Sequence, residues 1–211
     1  MIRLILIIIL VLPLNVWAQG DLEGDKTIGG KQDARFRLSL LVGLNASQID
    51  GDEIAGFNKL GLNIGGQINI ILDRKDWVGR FQPSIGIGFT QLGSAPGGRD
   101  DALFQYQRFN LSYAEIPVMI HYIDQRWVFS AGFAYRRLVN TKFIDANDFD
   151  VTDTFSDNYK KSEVSFIGGG TFYITRNIGV NVNWEHSTFD IFKPSMRQVH
   201  RLISFKGIYT F

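Results

Sequence analysis

Four residues near the C-terminal end are of the types that hydrolytic chemistry uses. Glu185-His186-Ser187, with Asp190 close behind, supplies a base, a nucleophile and two acids. Residue type is not geometry, however, and adjacent residues on a strand point to opposite faces. The chain has three histidines, His121, His186 and His200, none at a zinc-protease spacing. Gly86-x-Gly88 is not a dinucleotide fingerprint, because Gln91 stands where the third glycine belongs and the stretch reads as strand. Asp145, Asp148, Asp150, Asp153 and Asp157 crowd one segment without a calcium-loop spacing, and read as a solvated acidic loop. With no cysteine, thiolate metal sites, iron–sulfur clusters, disulfides and cysteine nucleophiles are excluded. The expectation is a protein that is not an enzyme, with no catalytic residue, no cofactor-binding residue and no metal ligand. A small lipid-modifying enzyme using His186, Ser187 and Asp190 is the rival reading.

A second set of charged residues is spread along the chain: Arg80, Glu115, His121, Arg136, Glu163, Glu185, Arg201 and Lys206. Both signs are present. They fall on the polar side of alternating segments, so they are expected to form a paired internal network. A narrow solute path is the alternative.

The elements that would position these residues have a period of 2. Phe36, Leu38, Leu40, Val42 and Leu44 share one face, while Arg35, Arg37, Ser39, Gly43, Asn45 and Ser47 share the other. Leu60, Leu62, Ile64, Ile68, Ile70 and Leu72 oppose Asn63, Gly65, Gln67 and Asn69. Trp77, Phe81, Ile85, Ile87 and Phe89 oppose Arg80, Gln82, Ser84, Gly86, Gly88 and Thr90. Such alternation marks strands. Five more segments follow near 107–122, 126–140, 162–174, 178–189 and 199–211. In the fourth, Phe109, Leu111 and Tyr113 are out of phase with Ile116, Val118, Ile120 and Tyr122, which predicts a bulge near Ala114-Glu115, beside Pro117.

Connections alternate in length. Asp73–Asp76, Ile123–Gln125 and Thr175–Asn177 are short, whereas Ile49–Phe57, Gly93–Tyr106, Thr141–Lys161 and Asp190–Gln198 are long and polar. Eight long strands with this rhythm match a transmembrane barrel of the outer-membrane type, with short periplasmic turns, long extracellular loops and both termini periplasmic. A soluble barrel enclosing its apolar face is disfavoured on three counts. The polar face is rich in glycine (Gly43, Gly61, Gly65, Gly86, Gly88, Gly132, Gly169, Gly179), as a crowded eight-stranded interior requires. Aromatics gather at the strand ends, Trp77, Tyr122, Trp127, Tyr209 and Phe211 at one and Phe89, Phe109, Tyr135 and Trp184 at the other. The chain also closes on Phe211, like the C-terminal assembly signal of bacterial outer-membrane proteins.

Residues 1–18 read as a cleaved signal peptide: Arg3, then an apolar run to Leu14 far shorter than a helical span, then Val16-Trp17-Ala18. Residues 19–34 read as a flexible periplasmic segment and 35–211 as the barrel domain. The balance of 22 Lys+Arg against 21 Asp+Glu argues against nucleic acid as a partner.

Gly43-Leu44-Asn45-Ala46-Ser47-Gln48-Ile49-Asp50-Gly51-Asp52, with Ala55-Gly56-Phe57-Asn58-Lys59-Leu60-Gly61, and Tyr113-Ala114-Glu115-Ile116-Pro117-Val118 resemble the PorT-like outer-membrane β-barrel family of Bacteroidota. The resemblance covers residues 35–211. It implies an eight-stranded all-β outer-membrane barrel and, for some members, a role in type nine protein secretion. The expected function is interaction or structure in the cell envelope. Expected partners are outer-membrane lipid and lipopolysaccharide, the barrel-assembly machinery through the strand ending at Phe211, and secretion or envelope proteins.

Overall fold

The computed structural model describes residues 36–50, 56–57, 59–72, 80–94, 106–145, 149–150, 152, 159–191 and 198–211. The signal-peptide and N-terminal readings, the short turn at 73–76, and Trp77 lie outside the described residues.

Eight strands follow one another: β1 (Phe36–Asp50), β2 (Lys59–Ile70), β3 (Phe81–Ser94), β4 (Tyr106–Asp124), β5 (Trp127–Asp145), β6 (Ser162–Tyr173), β7 (Ile178–Ser187) and β8 (Val199–Thr210). Each pairs antiparallel with its sequence neighbours, and β8 pairs with β1 to close the sheet. Closure runs from Asp50↔Val199 to Ser39↔Thr210, and the Phe211 amide extends it by donating to the Leu38 carbonyl at 2.9 Å. Lipid offers backbone groups no partner, so a spanning sheet must close in this way.

The register sets the diameter. A walk across paired residues goes from Leu38 through Ile68, Ile85, Val118, Phe133, Phe166, His186 and Arg201. It returns to β1 at Gln48, ten residues beyond its start. Eight strands with this stagger tilt by roughly 40° and enclose a lumen that side chains fill. Inward positions are mostly polar or small, interspersed with buried apolar clusters, and outward positions are apolar and bare: Ile87 is 73% exposed and Phe36 62%. In water such a surface would drive association; in hydrocarbon it is the solvated state. Rings mark both rims. At the short-turn end Phe81 packs on Tyr122, Trp127 on Phe172 and Tyr209 on Phe211; toward the long-loop end Phe166 packs on Trp184.

The inward glycines are demanded by space. A Cβ on Gly43, Gly132 or Gly169 would overlap backbone atoms of the adjoining strand. At Gly88 it would sit 2.8 Å from Glu115 Oε1, so the missing side chain makes room for that carboxylate.

The bulge is elsewhere than the sequence pattern predicts. β4 has no extra residue at Ala114-Glu115. Leu111, Tyr113, Glu115 and Met119 all point inward without a change of phase. The extra residue is Val139 on β5: Tyr113 pairs with Leu138, but Ser112 pairs with Asn140. Below it even-numbered β5 residues face the lumen, and above it Phe143 does. Leu111 and Tyr113 look outward in sequence because they are apolar. They instead join Ile49, Leu92, Phe143 and Leu202 in an apolar cluster inside the long-loop end, capped by Tyr159 and Ile191 from the loops.

The two fully described tight turns differ in chemistry. In Thr175–Asn177, Thr175 Oγ1 accepts from the Asn177 amide at 3.3 Å and the Ile178 amide at 3.0 Å. The Asp124–Trp127 turn has Gln125 in the left-handed region, at φ 54°. A side chain there costs energy that glycine avoids. Gln125→Gly is therefore expected to raise stability by up to about 1 kcal/mol, read as a higher urea midpoint in lipid vesicles.

Candidate functional site

The lumen is a stack of layers, each built from inward positions of adjoining strands. At the short-turn end Thr210 Oγ1 lies 2.9 Å from Ser39 Oγ and 2.8 Å from the Tyr173 hydroxyl, and Asn69 Nδ2 donates to Ser39 Oγ at 3.3 Å. His121 sits higher, between Ser84 Oγ at 2.7 Å and Ser130 Oγ at 2.6 Å. A cavity of about 60 Å³ follows, its walls including Asn63, Gln67, Asn181, Asn183 and Lys206. That is room for a few waters, which these amides and the ammonium could hold against the apolar side chains that share the walls.

Above the cavity lies the layer on which the barrel turns. Glu115, Arg136 and Glu163 are consecutive cross-strand partners on β4, β5 and β6, so three charges meet at one height. Arg136 is wholly buried. Its Nε donates to Glu115 Oε2 at 3.0 Å, Nη1 to Glu163 Oε1 at 3.5 Å and to Ser165 Oγ at 3.1 Å, and Nη2 to Glu185 on β7. Nη1 also approaches His200 Nε2 to 2.7 Å. A guanidinium cannot accept, so Nε2 is the acceptor and the ring proton resides on Nδ1, 3.2 Å from Glu163 Oε2. The His200 amide in turn donates to Ser187 Oγ at 3.1 Å. The apolar cluster closes the lumen beyond this layer.

The structure gathers Glu115, Arg136, Glu163 and Glu185 into one network, with His121 and Lys206 lining the cavity below. It excludes two expected members. Arg80 is exposed at the short-turn rim, 3.2 Å from the Tyr122 hydroxyl and 3.7 Å from Asp124 Oδ1. Arg201 faces outward and pairs with Asp50 at 2.8 Å. Its neighbours explain this: Ile203, Phe205 and Tyr209 alternate outward, so odd positions of β8 face lipid and His200, the member that sequence reasoning missed, faces in. Phase counting from Tyr209 would have found it.

The hydrolase-like residues are split by the pleat. Glu185 and Ser187 are inside, while His186 is outside, its ring stacked on Trp184 at 5.8 Å. His186 therefore cannot serve as base to Ser187. Of the acidic loop residues, Asp150 is described well enough to place: it accepts from the Thr152 hydroxyl and, at 3.0 Å, from the Thr152 amide, which hold its carboxyl below the usual range. The Asp148, Asp153 and Asp157 positions, and the Asp145 side chain, lie outside the described residues.

Removing Arg136 would strand three carboxylates in a low-dielectric layer. Arg136→Ala is expected to cost about 3–5 kcal/mol, whereas Arg80→Ala, which loses only an exposed and solvent-screened pair, should leave the midpoint nearly unchanged. Urea unfolding in lipid vesicles measures both, and equal midpoints would contradict the layer's role.

A family model described as outer membrane protein β-barrel domain matches residues 17–193. Among solved structures, two of the attachment invasion locus protein Ail of Yersinia pestis align at 11% and 12% identity. Each covers 84% of this chain and 100% of that one, with TM-scores of 0.50 and 0.51. Neisserial surface protein A aligns at 8% identity over 84% of this chain and 98% of its own, with a TM-score of 0.49. No curated protein matches. At these identities the Ail likeness is one of fold, and it agrees with the closed eight-stranded sheet and its apolar outer wall. The family model spans most of the chain, and the chain accordingly belongs to the outer membrane protein β-barrel domain family, whose place is the outer membrane.

Proposed function

We propose that this barrel is a non-catalytic envelope protein that works through its surfaces. The observation that carries this reading is the filled lumen: among the described residues, the Arg136 layer and the apolar cluster above it occupy the interior. The split of His186 from Ser187 argues in the same direction against a lipid-modifying enzyme. In this reading residues 1–18 are a signal peptide cleaved after Ala18, residues 19–34 remain in the periplasm, the short turns are periplasmic and the long loops are extracellular. The PorT-like string Gly43–Asp52 makes the type nine secretion machinery the partner to test first on the periplasmic side.

Three measurements bear on this. The purified mature protein should begin at Gln19 by mass, fractionate with the outer membrane and change gel mobility on boiling. In planar bilayers it should give no steady conductance; open channels would favour the solute-path reading. Cross-linking in the native membrane should capture envelope or secretion proteins, and recovery of lipid alone would oppose a protein-interaction role.

The closing strand supplies another test, since in this reading the assembly machinery recognises the strand that ends at Phe211. Deleting Phe211 removes the amide bonded to Leu38 and the ring packed on Tyr209. Deletion and Phe211→Asp should sharply lower the heat-modifiable fraction in outer membranes while synthesis persists. Phe211→Tyr, which keeps an interfacial ring, should be mild.

A further inference from the structure

The lipid-facing wall is not uniformly filled. An open groove of about 460 Å³ crosses β2 to β5. Its origin lies in two outward positions with little or no side chain. Gly66 sits beside Ile87, and Ala114 sits between Phe89 and Arg137 in the cross-strand row. Ile64, Ile87, Phe89, Ile116 and Tyr135 form the apolar walls. A hollow on a lipid-facing wall forfeits dispersion contacts unless something fills it, and the filler at hand is an acyl chain.

The loop-side end of the groove is polar and cationic. Tyr135 donates its hydroxyl to Ser162 Oγ at 3.0 Å, and Arg137 lies one outward position further on. Arg201, also outward near the long-loop end, is neutralised by Asp50. Among the described residues Arg137 has no carboxylate partner, and its recorded contact is the Tyr135 hydroxyl. A guanidinium beside an apolar groove, with no carboxylate partner among the described residues, matches a phosphate joined to an acyl chain.

We infer that this groove is a binding site for a phosphorylated, multiply acylated glycolipid, one acyl chain lying over Gly66 and Ala114 and one phosphate on Arg137. The choice of glycolipid over a phospholipid rests on the proposed orientation, which sets the groove's cationic end in the outer leaflet.

The test is native mass spectrometry of the full purified barrel in detergent. The added probes are a diphosphorylated lipid A, its dephosphorylated form and phosphatidylglycerol. The parent should retain the phosphorylated glycolipid over both others. Arg137→Gln should weaken that retention about fivefold, the effect of one cation at an anionic lipid surface. Gly66→Leu with Ala114→Leu should weaken it about tenfold by filling the groove. A Cβ at Gly66 meets nothing closer than 3.6 Å, so the backbone there accommodates a side chain, and the heat-modifiable gel shift verifies that the variant folds. Arg201→Gln should change nothing. Equal retention of the dephosphorylated form or of phosphatidylglycerol, or undiminished binding by the groove-filled variant, would overturn the inference. The chain has no cysteine, so Lys160→Cys reports orientation separately, through an impermeant maleimide on intact cells. Failure to label there would refute the orientation while leaving the lipid measurement to stand or fall alone.

Discussion

Hydrocarbon offers a peptide group no hydrogen-bond partner, and that constraint orders the rest of this structure. It requires β8 to return to β1, from Asp50↔Val199 down to the Phe211 amide on the Leu38 carbonyl. Closure over eight strands with a ten-residue stagger makes the barrel narrow, so its interior must be packed and not merely enclosed. Packing then dictates composition: glycine where a Cβ would strike the adjoining backbone, and paired polar groups elsewhere. The polarity of an ordinary soluble protein is thereby inverted, with a hydrogen-bonded core and a hydrocarbon exterior.

Arg136 shows how such a core is held. One guanidinium spans four strands, touching β4, β6, β7 and β8 from β5. Its planar array of donors suits several acceptors at once, which a lysine ammonium could not match. Three carboxylates surround it, and His200 and Ser165 complete the shell. The layer ties distant strands together directly beneath the apolar cluster of the long-loop end.

Much of this was legible in the sequence, because a period of 2 reports sidedness directly. Strand number, antiparallel order, the inward glycines and the aromatic rims all follow from alternation, with a lipid-facing exterior as the conclusion. The failures have a common cause. The phase slip read at Leu111 and Tyr113 equates apolar residues with lipid, whereas loop residues Tyr159 and Ile191 make the upper lumen apolar too. Arg80 and Arg201 were assigned inward because charge was equated with the lumen, whereas the rims are wet enough to hold exposed pairs. Neither the groove nor the partners of Arg136 could be read from one chain, since both depend on cross-strand register.

The bulge at Val139 stands directly above the Arg136 layer. A strand with strict alternation transmits any insertion along its whole length by exchanging its two faces. Here one strand already changes phase at Val139, so the segments on either side are decoupled like gears separated by a clutch. Variation in loop length above the bulge can be absorbed without rotating Arg136 toward lipid. The upper part of β5 and the loop it leads into are thus a module whose length can vary independently of the charged layer, and a rational place to graft foreign peptides.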